Sequence, residues 1–338
     1  MASLVSKVPF AAFWALLGFG QGLFASAAPD TAELQRYGFS APGMGTQFTI
    51  AIYTTEARFP DAEAAAHAAF DRIAELNTIF SDYEPNSEIN RFTDSTPKPW
   101  PASTDLLALT TRALELAQTT EGAFDPTLGQ LSRLWRSSRQ RQKSPPPERL
   151  QKARAATGWH HLQTDASKQT LSLTQPDLLL DFGGIAKGYA ADQMLALLKA
   201  KGFPMAIVQA GGDTAAGDPP PHLPGWTVAL KSGIKDSSPV KLSLANRSVS
   251  TSGDLHQFIE LEGIRYSHII DPATGLGMTR RMACSVIAAD TTTSDAMATA
   301  LCILGPEKGR AIAQKLQLTV RWTWLDEQAC LHQVWLYP

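Results

Sequence analysis

Short apolar, β-prone runs succeed one another through the second half of this chain, and few helical stretches interrupt them. Residues 226–230, 248–251, 258–261 and 284–288 read as consecutive strands with short turns, after a strand at 205–209 that ends at Gly211-Gly212-Asp213. Helical periodicity is confined to blocks. One is 61–80, where Phe70, Ile73, Leu76 and Phe80 recur at helical spacing; the others are 103–119 behind the cap Ser103-Thr104-Asp105, 186–199, 295–303 and 306–316. Strands in runs with segregated helices predict an α+β fold, not a doubly wound parallel sheet.

The first 27 residues differ from the rest. Lys7 is their only charged side chain, an apolar run covers 8–20, and Ala25-Ser26-Ala27 offers a small-x-small site ahead of Ala28-Pro29-Asp30. This predicts a cleaved secretory signal over 1–27, a single mature domain over 28–338, and a periplasmic location. A membrane anchor is the rival reading, but Gly18, Gly20, Gln21 and Gly22 cut the run short of the ~20 residues a span needs. No Arg-Arg pair and no cysteine stands at the cleavage point, so neither the twin-arginine route nor a lipid anchor is expected.

The formal charge of -2 arises from 30 basic and 32 acidic residues with no basic stripe, which argues against a nucleic-acid partner. The densest basic stretch, 133–143, runs into Pro145-Pro146-Pro147 and reads as a solvated helix face and loop. Of the three cysteines, Cys284 and Cys302 lie in apolar runs and read as buried, inert thiols, and with Cys330 at most one disulfide is possible.

Three stretches carry candidate chemistry. Asp181-Phe182-Gly183-Gly184-Ile185-Ala186-Lys187-Gly188 sits between an apolar run at 178–180, read as a strand, and the helix at 186–199. Adjacent glycines let the backbone approach a ligand, a helix N-terminus offers N–H groups to anionic oxygens, and Lys187 adds positive charge, so a phosphate-bearing ligand suits the stretch. It is neither a P-loop nor a G-x-G-x-x-G turn, and a tight turn with an exposed lysine is the alternative. Asp295 and Thr299, four apart on a helix, put a carboxylate and a hydroxyl on one face, the oxygen ligation that Mg²⁺ prefers. A helix cap is the alternative for Asp295, because Thr293 and Ser294 stand just before it. His268 is the one of seven histidines inside a dense polar turn between strands, where it serves either as a base or as a hydrogen-bonded turn residue. His67, on a helix face, and His160, His161, His222, His256 and His332 are read as structural or solvent-facing.

Segments 181–192 (DFGGIAKGYAAD), 209–217 (QAGGDTAAG), 251–254 (TSGD), 267–275 (SHIIDPATG) and 295–305 (DAMATALCILG) occur in an order and spacing that resembles the ApbE-type FAD:protein FMN transferases. Met44-Gly45-Thr46 and Phe80-Ser81-Asp82-Tyr83 look like that family too, and the resemblance runs from residue 43 onward. It implies a tandem T-fold-like α+β architecture with FAD held in a cleft. Residue by residue, Met44, Tyr83, Ala123, Phe124, Asp125, Asp181, Lys187 and Ile269 match positions that contact FAD in similar proteins. Gly184, through its backbone carbonyl, with Asp295 and Thr299, matches the magnesium site, and His268 matches a histidine proposed to assist the acceptor hydroxyl. Ala298 falls where some members carry an acidic side chain, leaving one ligand position to water. Leu255 replaces the tyrosine common after TSGD, which bears on a stacking or acceptor-side contact and not on a magnesium ligand.

The expectation is therefore a Mg²⁺-dependent transferase that takes FAD as substrate and attaches FMN to a Thr or Ser hydroxyl of an exported acceptor flavoprotein, releasing AMP. A Mg²⁺-dependent FAD pyrophosphatase would use the same site with water as nucleophile. A non-enzymatic flavin carrier would need no metal, and the pair Asp295 and Thr299 argues against it.

Overall fold

The computed structural model describes residues 33–95, 98–230, 239–253 and 258–338, together with the backbone of a two-residue strand, Ser6–Lys7. Apart from that strand, the stretch read as a signal peptide lies outside the described residues, as does Leu255.

Among the described residues, nine strands form one sheet whose spatial order follows the chain. They are β1 (Ser6–Lys7), β2 (Gln35–Gly43), β3 (Thr46–Thr54), β4 (Ala206–Ala210), β5 (Asp213–Ala216), β6 (Arg247–Gly253), β7 (Met282–Ala288), β8 (Thr319–Leu325) and β9 (Leu331–Leu336). Every neighbouring pair is antiparallel. Long insertions leave this order intact. Six helices fall between β3 and β4: α1 (Phe59–Phe80), α2 (Glu88–Asp94), α3 (Thr104–Thr119), α4 (Gly129–Arg141), α5 (Pro147–Ala155) and α6 (Ala186–Ala200). The seventh, α7 (Thr291–Lys315), joins β7 to β8. The structure is thus α+β, as the strand runs predict.

Both faces of the sheet are covered, which explains strands that read as unbroken apolar runs. In β4 the side chains alternate: Ala206, Val208 and Ala210 join the helix-side core with Phe48, Ile50, Val286 and Trp322, while Ile207 faces the other way. There it meets Ala51, Ala216 and Val249 beneath Trp226, Val228, Leu230 and Leu244 of the hairpin Trp226–Leu230 and Val240–Leu244. The buried indole of Trp322 donates through Nε1 to the Leu301 carbonyl at 2.9 Å, fixing α7 to the sheet.

α6 and α7 come unusually close, because a Cβ on Gly188 would sit 2.3 Å from the Thr291 carbonyl oxygen. Asp192 of α6 accepts from the Thr291 N–H, the Thr292 N–H and the Thr292 hydroxyl, and Asp290 accepts from the Thr293 N–H. The first turn of α7 is thereby satisfied by two carboxylates. Gly305 (φ 70°) ahead of Pro306 breaks α7 into the two helical segments expected from the sequence.

Several expectations need correction. Residues 178–180 form no strand: Leu179 makes only an isolated parallel bridge with Leu128, and the in-out-in burial of Leu178 and Leu180 mimics a strand without a ladder. α7 begins at Thr291, not at 295, because Asp192 and Asp290 cap a run of threonines that has little helix propensity of its own. Asp295 therefore lies inside the helix and is not its cap. Strand 226–230 pairs with Val240–Leu244 rather than with β6. Strands β2, β5, β8 and β9 are absent from the sequence reading; β2 contains two glycines and a proline, and β9 is a largely exposed edge.

Candidate functional site

The turn before α6 is built by its own first carboxylate. Asp181 Oδ1 accepts from the Gly183 N–H at 2.7 Å, and Oδ2 accepts from the Ser132 hydroxyl of α4. α6 then starts at Ala186 with no side chain of its own as a cap. Asp295 supplies one from α7: its Oδ2 accepts from the Gly188 N–H at 3.1 Å. One of the helix N-terminal donors expected to meet a substrate anion is thus held by a protein carboxylate.

The same oxygen lies 3.3 Å from Lys187 Nζ, which also donates to the Gly183 carbonyl at 3.2 Å. A third acceptor was not assigned from sequence. Asp213, the first residue of β5 and only 2% exposed, places Oδ2 3.4 Å from Lys187 Nζ, at ion-pair distance but without hydrogen-bond geometry. Burial alone would lower the Lys187 pKa, but Asp295 and Asp213 outweigh it and hold the ammonium above its ordinary value. Burial and the nearby Asp295 charge push the Asp213 carboxyl up to about 7, against the opposing pull of Lys187 and Ser250.

One turn along α7, Thr299 Oγ1 lies 3.0 Å from Ser252 Oγ of the TSGD segment, and Ser294 Oγ lies 2.8 Å from Ser250 Oγ. A Cβ on Gly184 would stand 3.4 Å from Thr299 Oγ1 and 3.6 Å from the Phe124 ring. Gly184, Asp295 and Thr299 therefore lie together around the α6 start. Ala298, beside them in sequence, is fully buried in the core. A carboxylate, a hydroxyl and a backbone carbonyl are oxygen donors, and the orphaned buried Oδ2 of Asp213 adds negative charge nearby; this set fits Mg²⁺. Among the described residues no group of three or more His, Cys, Asp or Glu forms a metal cage, so the ion would draw on this mixed oxygen set.

Two hairpin turns and a strand end share one end of the sheet. Met44 and Gly45, both at positive φ, form the tight link between β2 and β3. Gly211 donates to the Gln47 carbonyl, and a Cβ on it would meet Thr46 Oγ1 at 3.0 Å, while Thr251 donates to the Gly212 carbonyl. Met44 is accordingly held near the Gly211-Gly212 turn that presents Asp213.

α4 gathers the remaining segments. Besides Ser132, it supplies Arg136, which pairs with Asp82 and stacks its guanidinium 4.2 Å from the ring centre of Tyr83, a side chain that is 73% exposed. It also supplies Trp135, whose Nε1 donates to the Gly275 carbonyl at 2.8 Å. Burial and the charge of Asp181 raise Asp82 despite Arg136, so the FSDY and DFGG turns lie side by side. The stretch 133–143 is therefore not only a solvated face: Arg136 is a half-buried partner of both Asp82 and Tyr83 in the FSDY turn, which a local charge count does not reveal.

Phe124 and Asp125 are buried. Asp125 is engaged by protein groups, accepting from the Thr127 N–H and hydroxyl at Oδ1 and from the Trp159 N–H at Oδ2, while Ala123 precedes them partly buried. Ile269 is buried, its N–H donating to Ser267 Oγ and its carbonyl accepting from Met278, and His268 between Ser267 and Ile269 is exposed. The sequence reading leaves Ser132, Arg136, Asp213 and Ser252 without roles. Asp213 carried the clearest signal, a carboxylate directly after two glycines and the one charged residue between Met205 and Gly217.

The ApbE family model matches residues 44–322. An FAD:protein FMN transferase of Vibrio cholerae is 32% identical over 287 residues, covering 83% of this chain and 85% of its own length. One of Escherichia coli is 31% identical over 269 residues, covering 77% and 76%. The solved flavin transferase ApbE of Vibrio cholerae superposes with a TM-score of 0.80 at 29% identity, covering 90% of this chain and 97% of that one. The apo flavinyl transferase ApbE of Pseudomonas stutzeri does so with a TM-score of 0.80 at 29% identity, covering 89% and 95%.

Proposed function

The chain belongs to the ApbE family, and on that premise we propose that it is an FAD:protein FMN transferase which moves FMN from FAD to a Thr or Ser hydroxyl of an exported acceptor protein. The observation that carries this reading is the meeting of Gly184, Lys187, Asp295 and Thr299 at the start of α6, drawn from segments more than 100 residues apart.

In the reaction the acceptor oxygen bonds to the FMN-side phosphorus, the bond from that phosphorus to the bridging oxygen breaks, and AMP leaves with that oxygen. The hydroxyl proton goes to a base. His268, exposed on the turn between the strand Ile264–Ser267 and Ile270–Asp271, takes that role, an effect typically worth ~10²–10⁴ in rate. Lys187 sets a positive charge against the pyrophosphate, and the Gly183-Gly184 backbone allows close approach. Asp295, Thr299 and the Gly184 carbonyl would hold Mg²⁺, which when bound neutralises charge on phosphate oxygens. Tyr83, backed by Arg136, offers an exposed aromatic face for a flavin ring, with Met44, Phe124 and Ile269 as apolar neighbours of the bound dinucleotide. Asp125 and Asp181 act chiefly by shaping their turns, since their oxygens are occupied by protein donors.

Export through residues 1–27 and a periplasmic location belong to the same proposal. Among the described residues no helix is long and apolar enough to cross a membrane. The test is incubation of the purified protein with FAD, Mg²⁺ and a candidate acceptor domain, followed by flavin fluorescence on a denaturing gel. A fluorescent acceptor band with matching AMP release is expected; release of AMP with free FMN and no labelled band would reassign the activity to hydrolysis.

A further inference from the structure

Three oxygens surround the Lys187 ammonium: it donates to the Gly183 carbonyl at 3.2 Å and to Asp295 Oδ2 at 3.3 Å, and Asp213 Oδ2 lies at ion-pair distance, 3.4 Å. Asp295 is committed twice over, since the same oxygen also holds the Gly188 N–H at 3.1 Å. A divalent cation taken up by Asp295 and Thr299 would compete with Lys187 for that carboxylate and would repel the ammonium. With Asp295 as its only counter-charge, Lys187 would be driven away from the place where a substrate anion needs it.

Asp213 is placed to prevent this. It is 2% exposed, its backbone is fixed between β4 and β6 by pairing with Ala210 and Ser250, and its Oδ2 makes no hydrogen bond that would divert it. The turn before it is tied down on both sides, by Gly211 to the Gln47 carbonyl and by Thr251 to the Gly212 carbonyl. We propose that Asp213 is a positioning residue: it is the carboxylate that retains Lys187 at the start of α6 when Asp295 is given over to a divalent cation. With both carboxylates ionised, the trio with the ammonium carries a single negative charge, and a bound dication turns this to a single positive one, suited to an anionic substrate. Without the Asp213 charge, two cations would share one carboxylate. The identity of that anion rests on the transferase reading above; the competition between metal and lysine does not.

The experiment compares the wild type with Asp213→Asn, Lys187→Met and the double variant. Mg²⁺ is titrated against the thermal midpoint without FAD, and FAD affinity is read by fluorescence in chelator. Asp213→Asn should raise half-saturating Mg²⁺ by about tenfold or more, the usual effect of losing a partner behind a metal ligand. If Asp213 acts through Lys187, the double variant should return to within about threefold of Lys187→Met, because the competing ammonium is gone. A double variant with a Mg²⁺ response about tenfold weaker than that of Lys187→Met would overturn the proposal, by making Asp213 a ligand or a purely structural residue. That comparison stands even if Asp213→Asn alone does not fold. Failure of the transferase reading would show separately, as wild-type protein that binds Mg²⁺ but releases no AMP from FAD.

Discussion

Gly188 donates its backbone N–H to Oδ2 of Asp295 across 3.1 Å, so the carboxylate assigned to the metal also caps the helix that carries Lys187. The contact depends on the missing side chain at position 188, where a Cβ would stand 2.3 Å from the Thr291 oxygen and 2.9 Å from Asp295 Cβ. Gly188→Ala should therefore push α6 and α7 apart, costing about 1–3 kcal/mol in urea unfolding, the range for overpacked cores. It should also weaken Mg²⁺ activation, because Asp295 moves with the helix. A variant within about 0.5 kcal/mol of wild type would show that the helices separate freely and that the close approach is not required.

Asp295→Ala removes the metal carboxylate, the cap of α6 and one counter-charge of Lys187 together. Metal-dependent AMP release should vanish, leaving Thr299 and a carbonyl as the remaining donors. FAD should still bind, more weakly, as measured by fluorescence quenching. Undiminished turnover in Mg²⁺ buffer would remove the metal assignment.

The antiparallel fold was legible where alternation and apolar runs are local: β4, β6 and β7 and the helices α1, α3 and α6 stand within a few residues of their expected bounds. Gly184, Lys187, Asp295 and Thr299 were legible as motif residues. Their partners were less so, because a sequence shows which groups are unusual but not which distant groups they face. Asp213 is the one charged residue between Met205 and Gly217, yet its link to Lys187 exists only after β4 and β5 fold back beside α6. Arg136 gave the opposite signal, since a basic helical stretch reads as solvated until Asp82 and Tyr83 close over it from another segment.

His268→Ala should slow transfer by ~10²-fold or more while leaving FAD affinity within a few-fold, since a base acts on the incoming hydroxyl and not on the bound dinucleotide. Its neighbours also anchor the turn: Ser267 bonds Ile269 and Met278, and Trp135 and Arg154 hold the carbonyls of Gly275 and Ala273. Stability should accordingly change little. Parallel loss of melting temperature and FAD binding would make His268 a structural turn residue.

Transfer and hydrolysis both release AMP, so the nucleophile decides between them. A transferase is expected to react slowly until the acceptor hydroxyl arrives, because water placed by chance lacks the binding contacts that orient a protein substrate. FAD and Mg²⁺ alone should then give little free FMN, and adding an exported flavoprotein domain with a flavinylation-type Thr or Ser should raise AMP release in step with covalent labelling. Replacing that acceptor residue by Ala or Val should suppress both signals together, since the bond to phosphorus has no oxygen from which to form. AMP release that continues unchanged with such an acceptor would mean that water is the productive nucleophile, with His268 then serving the hydrolytic proton instead of the acceptor's.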